Sequence, residues 1–353
     1  MKRILVNIYK IKELYSGLGQ FSINFANELC KQLPEDWSVD FLVPQGSDIH
    51  FDHPSIRTVK SNFVRRHLPF LNEKYNLWHN LYQTSDFQPN KNTPLLMTVH
   101  DLNFLYEKSG WKANQYLRKI QKAVNRADYL SAISDFAISD IKSHININNK
   151  SIHRIYNGID FGEMVQSVKP EFIDDKQAFF FTIGYLTPKK NSHVLIPLLT
   201  SLKDYKLIIA GNNQSKYAQN IQKEIDKLKL NNRVFMVGNV SEEQKKWLYE
   251  NCSAFLFPSL AEGFGMPVIE AMHHGKPVFL SKCTSLPEIG GDLAFYFDNF
   301  EPKHMIKAVK EGLQHYKSNE NEWSSKIKIH ADNFSWERCI KQYLQLYSEI
   351  IKD

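Results

Sequence analysis

The stretch Phe179-Phe-Phe-Thr-Ile183 decides the fold class, because it is apolar on both faces of a strand. Leu207-Ile-Ile-Ala210 has the same character. Strands without a polar face are typical of parallel sheets that are covered by helices on both sides. Amphipathic segments such as 216–228 alternate with these strands along the whole chain. The alternation predicts an α/β protein with two doubly wound domains in tandem.

The remaining elements follow from the same periodicities. Strands are predicted at 3–9, 38–43, 95–99, 129–133, 179–183, 206–210, 234–237, 254–257 and 278–281, and helices at 19–32, 115–126, 135–144, 194–202, 216–228, 242–251 and 267–274. Residues 45–92 lack a clear period and are predicted to form irregular loops. A linker over 161–177 separates a first domain, 1–165, from a second domain, 175–335.

Composition and charge narrow the function classes. The chain has 353 residues and a formal charge of +6, and residues 1–170 carry 21 basic against 16 acidic side chains, or +5. This excess suits phosphate or an anionic membrane surface, although an ordinary solvated surface explains it as well. Nucleic acid is not predicted as a partner, since there is no long Lys/Arg run and no recognition motif.

Cysteine spacing and hydropathy predict the compartment. The four cysteines, Cys30, Cys252, Cys283 and Cys339, are far apart, which favours neither a disulfide framework nor a zinc site. The first apolar run is too short for a signal peptide, and no stretch approaches the ~20 apolar residues that cross a bilayer. The prediction is a cytoplasmic protein, with any contact at the inner leaflet of the inner membrane being peripheral.

The most informative motif is Pro258-Ser-Leu-Ala-Glu-Gly-Phe-Gly-Met-Pro-Val-Ile-Glu-Ala-Met272. A strand ends before it, and Pro267 marks the first turn of a helix. Free amides at a helix start, approached closely through Gly263 and Gly265, suit a phosphate. Glu262 and Glu270 are suited to accept hydrogen bonds from sugar or ribose hydroxyls. Two surface glutamates beside a structural turn are the alternative.

Two glycine-containing loops are further candidates for phosphate contacts. Gly184-Tyr-Leu-Thr-Pro-Lys-Lys-Asn191 follows a strand and carries Lys189 and Lys190, although lysine pairs are common on surface loops. Ser16-Gly-Leu-Gly-Gln-Phe21 leads into a helix, where Gly17 and Gly19 allow a ligand to approach the backbone. This glycine pair matches the dinucleotide fingerprint only in part.

Histidine and aspartate follow another strand, in Thr98-Val-His-Asp101. A polar pair at the carboxyl end of a parallel strand is well placed for binding or catalysis. A structural histidine is the equally weighted alternative for His100, and His79 has a weaker case. Since no HExxH pattern or other ligand spacing is present, no protein-held metal is predicted.

Together these motifs resemble the retaining glycosyltransferases of family 4, also called glycosyl transferases group 1. Glu262-Gly-Phe-Gly-Met-Pro-Val-Ile-Glu270 looks like their E-x7-E motif, and Gly184–Asn191 looks like their diphosphate loop. The steps Ala132-Ile-Ser-Asp135 and Tyr156-Asn-Gly-Ile-Asp160 also match in order. The resemblance implies the GT-B fold, with two Rossmann-like doubly wound domains facing across a cleft and a C-terminal helix, 336–353, that packs back on the first domain.

The resemblance implies roles for the residues of the second domain. Glu270 would bind the ribose hydroxyls, Glu262 would meet a hydroxyl of the transferred sugar, and Lys190 would neutralise the diphosphate leaving group. The donor-binding residues would be Lys189, Lys190, Phe264, Gly265, Met266 and Glu270, together with Gly17 and Gly19 of the first domain. Lys189 stands where the family usually has arginine, which loses a bidentate contact but keeps the charge.

In the first domain, the resemblance implies that His100 stabilises the oxocarbenium-like charge of the donor sugar. Asp101 would orient its loop or contact the acceptor. His100, Glu262 and Lys190 are thus the predicted catalytic residues.

The implied activity is transfer of a hexose from a nucleoside-diphosphate sugar to a glycan or lipid-linked acceptor, as in bacterial lipopolysaccharide, O-antigen or capsule synthesis. The loop favours GDP-mannose over UDP-sugars, and neither cofactor nor metal is implied. Arg65, Arg66 and 118–122 are candidates for contact with an anionic membrane. A sugar-nucleotide epimerase or phosphorylase-like enzyme of related fold, and a non-catalytic nucleotide-sugar-binding protein, are the alternatives.

Overall fold

The computed structural model describes residues 2–13, 16–107, 110–159, 165–173 and 177–352. The chain forms two compact units. Unit 1 comprises Met1–Gly158 and Phe334–Asp353, and unit 2 comprises Ile159–Asn333. The first unit therefore ends seven residues before the predicted boundary at 165, and unit 2 begins before the predicted 175. Residues 161–164 and 174–176 of the predicted linker, and residue 160 before it, lie outside the described residues.

Helices and strands alternate in both units. In unit 1 they are β1 (Lys2–Asn7), α1 (Gly17–Gln32), β2 (Trp37–Val43), β3 (Ile56–Lys60), α2 (Phe63–His67), β4 (Leu77–Asn80), β5 (Leu95–Val99), α3 (Phe104–Glu107), α4 (Gly110–Arg126), β6 (Tyr129–Ala132), α5 (Asp135–His144) and β7 (Ile152–Arg154). In unit 2 they are β8 (Phe179–Ile183), β9 (Lys206–Ala210), α6 (Lys216–Lys227), β10 (Val234–Gly238), α7 (Glu242–Asn251), β11 (Ala254–Phe257), α8 (Met266–His273), β12 (Val278–Ser281), α9 (Leu286–Gly290), β13 (Phe295–Phe297), α10 (Pro302–Ser318) and α11 (Glu320–Ala331), after which α12 (Trp336–Lys352) returns to unit 1.

Each unit is built on one parallel sheet. The seven strands of unit 1 have the order β3-β2-β1-β4-β5-β6-β7, and the six strands of unit 2 have the order β10-β9-β8-β11-β12-β13. Every strand pair is parallel. Both orders are those of doubly wound Rossmann folds, in which the chain reverses direction once across the sheet. The predicted α/β class with two Rossmann-like domains is confirmed.

The C-terminal helix α12 belongs to the core of unit 1. Its face bearing Ile340, Tyr343 and Tyr347 is fully buried against α1 and the sheet. Gly158 allows the helix to begin there, since a Cβ at this position would lie 2.5 Å from the Cα of Trp336. The point where the chain leaves unit 1 therefore lies against the point where it returns, and only glycine at position 158 leaves room for this close approach.

His79 is a structural histidine at the centre of unit 1. Its Nδ1 lies 2.6 Å from the hydroxyl of Tyr347, and its Nε2 lies 2.8 Å from Oγ1 of Thr98. Burial lowers the pKa of His79 to about 3, and the nearby His100 adds to this shift. The ring is therefore neutral at pH 7, and its two nitrogens link α12 to the sheet.

Several parts of the chain differ from the predicted elements, and residues 286–331, where the sequence analysis predicts none, contain α9, β13, α10 and α11. Residues 45–92, expected as loops, contain β3, α2 and β4. The helix expected at 194–202 is replaced by short 3-10 helices at Ser192–Leu195 and Pro197–Thr200. Pro197 lacks the amide that a continuous α-helix would require at this position, so the segment is divided.

Candidate functional site

The candidate donor site lies where the strand order of unit 2 reverses. β8 and β11 are adjacent in the sheet although they are not consecutive in the chain. The loops that follow them, Gly184–Asn191 and 258–265, therefore begin at the same edge. In open parallel sheets the ligand binds at this position, outside the carboxyl ends of the strands.

Hydrogen bonds join these two loops directly. The amide of Leu260 donates to the carbonyl of Lys189 at 2.7 Å, and the hydroxyl of Ser259 donates to the same carbonyl at 3.1 Å. The backbone of the Gly184–Asn191 loop is therefore fixed against Ser259 and Leu260, just before the E-x7-E motif, although the two loops are about seventy residues apart in the chain.

Lys190 and Glu262 form the central ion pair of the site. Lys190 Nζ lies 2.6 Å from Glu262 Oε1, and the two side chains are 15% and 12% exposed. The ammonium also lies 4.9 Å from the ring centre of Phe257. An ammonium has three donors, so the bond to Glu262 leaves others for an incoming anion. The pair thus presents one cation and one hydroxyl acceptor side by side.

The helix α8 begins beside this pair with an uncapped first turn. Its N-cap residue is Gly265, which has φ 108°. As a glycine it has no side chain that could accept a hydrogen bond from an amide of the first turn. Pro267 occupies the first turn, where its missing N–H does not cost a hydrogen bond. The Val268 amide already donates to the carbonyl of Gly265 at 2.9 Å, so an anion at this end gains mainly from the helix dipole.

Glu270 is held in place by two residues of α7. Lys245 Nζ lies 3.2 Å from Glu270 Oε1, and the hydroxyl of Tyr249 donates to Glu270 Oε2 at 2.8 Å. Burial alone would lower the pKa of Lys245, but Glu270 and Glu242 outweigh it and the pKa is raised. Burial and Glu270 also raise the pKa of Tyr249. Both partners therefore remain protonated donors at neutral pH.

Thr284 and Ser285 fix the backbone of the E-x7-E loop. The amide of Glu262 donates to Oγ1 of Thr284 at 3.0 Å. The hydroxyl of Ser285 lies 3.1 Å from the carbonyl of Glu262 and 3.0 Å from that of Phe264. The sequence analysis did not identify Thr284 and Ser285, and it did not identify Lys245 and Tyr249 of α7. Thr284 and Ser285 follow β12, so the rule that ligands bind at strand ends could have identified them.

In unit 1, His100 follows β5 and is held by Leu81, the residue directly after β4. Its Nε2 lies 2.8 Å from the carbonyl of Leu81, so Nε2 carries the proton. Phe21 of α1 meets the ring edge-on, with 4.7 Å between the ring centres. Burial lowers the pKa of His100 to about 4, so the imidazole is neutral at pH 7.

Asp101 orients its own loop. Its Oδ1 accepts a hydrogen bond from the amide of Asn103 at 2.9 Å, and its carbonyl accepts one from Gln83 at 3.0 Å. The first of these is an Asx turn, which fixes the backbone directly after the strand. Both contacts are compatible with the predicted role of Asp101 in orienting its loop.

The early glycine pair lies in the first turn of α1. Ser16 caps this helix, and its hydroxyl oxygen accepts a hydrogen bond from the amide of Gly19 at 3.0 Å. Gly19 is buried, whereas Gly17 is exposed. The Gly19 amide is thus already satisfied, and Gly17 is the member of the pair that a ligand can approach.

The structure groups the predicted site residues by unit. Unit 2 contains Lys189, Lys190, Glu262, Phe264, Gly265, Met266 and Glu270, whereas unit 1 contains Gly17, Gly19, His100 and Asp101. Phe264 is buried, and Met266 is exposed beside it.

The described ranges contain neither a metal-binding cluster nor a membrane-spanning helix. No group of three or more histidine, cysteine, aspartate or glutamate side chains in those ranges has an arrangement that could hold a metal ion. None of the described helices combines the length and the hydropathy needed to span a membrane.

Known proteins share both the sequence pattern and the fold. The family model described as glycosyl transferases group 1 matches residues 166–328, and the model described as glycosyltransferase family 4 matches residues 23–163. The chain is 27% identical to the O-antigen chain mannosyltransferase RfbU of Salmonella typhimurium, over 87% of this chain and 90% of that protein. It is 24% identical to O-antigen chain mannosyltransferase B of Escherichia coli, over 98% and 99%.

A solved structure, that of Anabaena HepE in complex with UDP-glucose, superimposes with a TM-score of 0.71 at 18% identity, covering 99% of this chain and all of that chain. At this identity the likeness concerns the fold. With the two family models matching consecutive parts of the chain, and with two Rossmann-like units in the structure, the chain belongs to the group 1, family 4 glycosyltransferases of the GT-B fold.

Proposed function

We propose that this glycosyltransferase moves a hexose, with mannose favoured, from a nucleoside-diphosphate sugar to a glycan or lipid-linked acceptor. The sugar keeps its anomeric configuration, and the reaction uses neither a metal ion nor a cofactor. The products extend bacterial surface polysaccharide such as O-antigen. The observation that carries the proposal is the Lys190–Glu262 pair at the uncapped start of α8, with Glu270 on the same helix.

The donor diphosphate is assigned to the charges at this point. When the bond from the sugar C1 to the diphosphate breaks, negative charge accumulates on the departing oxygen. Lys190 and the positive end of the α8 dipole stabilise that charge in a site whose groups are already oriented. Because these groups supply positive charge themselves, the departure of the diphosphate needs no metal ion.

The two glutamates are assigned to hydroxyl groups. Glu262 is adjacent to the ammonium of Lys190 and therefore to the position of the phosphates, where the sugar begins. Glu270 is held between Lys245 and Tyr249, in position to accept hydrogen bonds from ribose hydroxyls. A carboxylate accepts hydrogen bonds and does not donate them, so it selects ligand groups that donate, such as hydroxyls.

His100 is proposed as the unit 1 residue that acts on the donor sugar. A neutral ring adds no positive charge, so it does not repel a sugar with oxocarbenium character. Since Nε2–H donates to the carbonyl of Leu81, Nδ1 is the nitrogen that offers a lone pair.

The bond exchange takes place on one face of the sugar C1. The oxygen of the acceptor hydroxyl replaces the diphosphate oxygen on that face, and the proton of the acceptor hydroxyl leaves with the diphosphate.

Mannose and a surface glycan are proposed from the relatives. RfbU and mannosyltransferase B are both O-antigen chain mannosyltransferases by name, and each is covered over nine tenths of its length or more. HepE was solved with UDP-glucose, which makes UDP-sugars the competing donors to test.

A thermal-shift screen followed by turnover tests this proposal. The protein is heated with GDP-mannose, GDP, UDP-glucose, UDP-galactose and mannose 1-phosphate, and a ligand that binds the native state raises the melting temperature. GDP-mannose is expected to give the largest shift and slow release of GDP, with no loss of rate in EDTA. The anomer of a transferred mannose is then read by NMR.

Each part of the proposal has its own contrary result. A larger shift with a UDP-sugar overturns the donor, and an inverted anomer overturns retention. Loss of turnover in EDTA that returns with a divalent cation overturns metal independence. Binding without GDP release under every acceptor condition overturns the assignment as an active transferase.

A further inference from the structure

The side chain of Gln83 holds the backbone around His100. Gln83 lies in the loop after β4, and its side-chain amide makes two hydrogen bonds to the loop after β5. Its Oε1 accepts from the main-chain amide of His100 at 3.2 Å, and its Nε2 donates to the carbonyl of Asp101 at 3.0 Å. A primary amide offers both a donor and an acceptor, so one glutamine satisfies both main-chain groups. These two hydrogen bonds form the Gln83 clamp.

The ring of His100 is held by the same loop. Its Nε2 lies 2.8 Å from the carbonyl of Leu81, two residues before Gln83. His100 is therefore restrained at its main-chain amide by Gln83 and at one ring nitrogen by Leu81. Since the backbone and one side of the ring are both held, the direction of the remaining nitrogen, Nδ1, is set by the loop after β4.

Buried side chains support this loop. Nδ2 of Asn80 donates to the carbonyl of Phe87 at 3.1 Å, and Nδ2 of Asn7 donates to Oγ of Ser85 at 2.8 Å. Nδ2 of Asn7 also donates to Oδ1 of Asn80 at 2.9 Å. Asn7 and Asn80 are 0% and 1% exposed, so their hydrogen bonds are shielded from water. Gln83 therefore projects from a backbone that is fixed to the ends of β1 and β4.

Gln121 makes the same kind of contact elsewhere in unit 1. Its Nε2 donates to the carbonyl of Asn146 at 2.7 Å, and its Oε1 accepts from the amide of Asn146 at 2.8 Å. Both glutamines are half-buried. Asn146 follows the end of α5, the helix that returns from the carboxyl edge of the sheet between the parallel strands β6 and β7. It therefore lies at the edge opposite to His100, and Gln121 is a matched control.

We propose that Gln83 is a positioning residue for the transfer reaction, because its clamp on His100 and Asp101 directs Nδ1 of His100 toward the donor sugar. A reacting group is effective only when it is held within about 0.5 Å of its productive geometry. His100 lies just beyond the end of β5, where the strand no longer fixes the backbone, and the clamp supplies the missing hydrogen bonds. The inference rests on the proposed function, which assigns His100 to the sugar.

GDP release from GDP-mannose, measured with the full-length protein in a lipid-free assay, tests the proposal. Gln83→Met keeps the length of the side chain and removes both hydrogen bonds, whereas Gln83→Asn keeps the amide on a side chain too short for both. Each is expected to lower kcat by about tenfold or more. KM should change by less than about twofold, since the nucleotide is assigned to groups of unit 2. Gln121→Met is expected to keep the wild-type kcat, whatever it loses in melting temperature.

A double-mutant cycle tests whether Gln83 acts through His100. His100→Gln removes the lone pair of Nδ1 but keeps a nitrogen that can donate to the carbonyl of Leu81. In that background Gln83→Met is expected to lower kcat by less than about twofold, because the effects of residues that act as one unit do not add. A tenfold loss in both backgrounds overturns the proposal, and so does a wild-type kcat in Gln83→Met and Gln83→Asn.

Amide hydrogen exchange measures the clamp without turnover. Gln83→Met is expected to raise the exchange rate of the His100 amide by about tenfold, while the amides of β5 exchange as in the wild type. Unchanged exchange at His100 overturns the clamp, and faster exchange with an unchanged kcat shows a merely structural role and overturns the proposal.

The two levels of inference fail in different ways. Absence of GDP release in the wild type under every acceptor condition overturns the proposed function, and the role of His100 with it. A wild type that releases GDP, beside Gln83 variants that release it equally fast, overturns the positioning role of Gln83 alone.

Discussion

The ammonium of Lys190 lies 2.6 Å from a carboxylate oxygen of Glu262, and this pair joins the lysine loop to the E-x7-E loop. Both side chains are largely buried, so each charge depends on the other. A diphosphate that binds here meets a cation whose position is already fixed by its partner. This preorganisation makes the pair the first target for mutation.

Lys190→Met is expected to reduce GDP release from GDP-mannose by about 100-fold or more, since a few kcal/mol of transition-state stabilisation is lost. The loss has two sources: the leaving group loses a cation, and the Glu262 carboxylate is left unpaired beside it. Steady-state kinetics measure the effect. Lys282→Met is the control, since Lys282 pairs with Asp298 on the exposed surface of the same unit.

A double variant separates the two sources. Lys190→Met/Glu262→Gln removes the unpaired charge and is expected to regain donor binding, measured by calorimetry, while turnover stays low. Near-wild-type turnover in Lys190→Met would refute the assignment of the leaving-group cation.

Tyr249→Phe is expected to weaken donor binding by about tenfold, because a hydrogen bond to a charged group contributes about 1.5–3 kcal/mol. The hydroxyl orients Glu270 without contacting the donor in this proposal, so KM should rise while kcat changes little. Tyr296→Phe is the control, since that hydroxyl donates to the carbonyl of Gly291 at 2.7 Å in the same unit. A lower melting temperature with an unchanged KM would show a merely structural role.

Thr284→Val removes the acceptor for the Glu262 amide but keeps the shape of the side chain. Thr284 has φ 53°, and valine is β-branched as threonine is, so backbone strain is matched. The loop should lose definition at Glu262, and kcat/KM is expected to fall about tenfold, or about 1.4 kcal/mol. Thr284→Ser keeps the hydroxyl and should retain activity. Equal kinetics for the two variants would contradict a role for this hydrogen bond.

The sequence predicts the parts of this protein that depend on local patterns. Phe179–Ile183 is apolar throughout, so β8 and the loop after it could be placed without coordinates. β3 was missed because Ile-Arg-Thr-Val-Lys lies at the sheet edge with a charged, half-exposed side. β4 was missed because its buried residues include His79 and Asn80, whose polarity hides a central strand.

The candidate site divides in the same way. Glu262, Glu270 and Lys190 stand in recognisable motifs, and the parallel-sheet rule predicts that their loops begin at one edge. The partners of Glu270 could not be predicted, since Lys245 and Tyr249 reach it only because α7 packs beside α8. Contacts of this kind are set by tertiary packing and leave no periodic signal in the chain.

Acid is expected to destabilise unit 1 through its two buried histidines. The folded-state pKa values of His79 and His100 are lowered to about 3 and about 4, below the usual 6.5 of an unfolded chain. The unfolded state therefore binds more protons as the pH falls below 6.5, and each histidine removes about 1.4 kcal/mol of stability per pH unit until its folded pKa is reached. Urea unfolding of the wild type between pH 6 and pH 4.5 should show this slope. In His79→Gln the slope should be shallower by about 1.4 kcal/mol per pH unit, whatever the variant loses in absolute stability.

The exposed His50 supplies the control variant, His50→Gln, which should keep the wild-type slope. Identical slopes in all three proteins would show that His79 is not held neutral in the folded state.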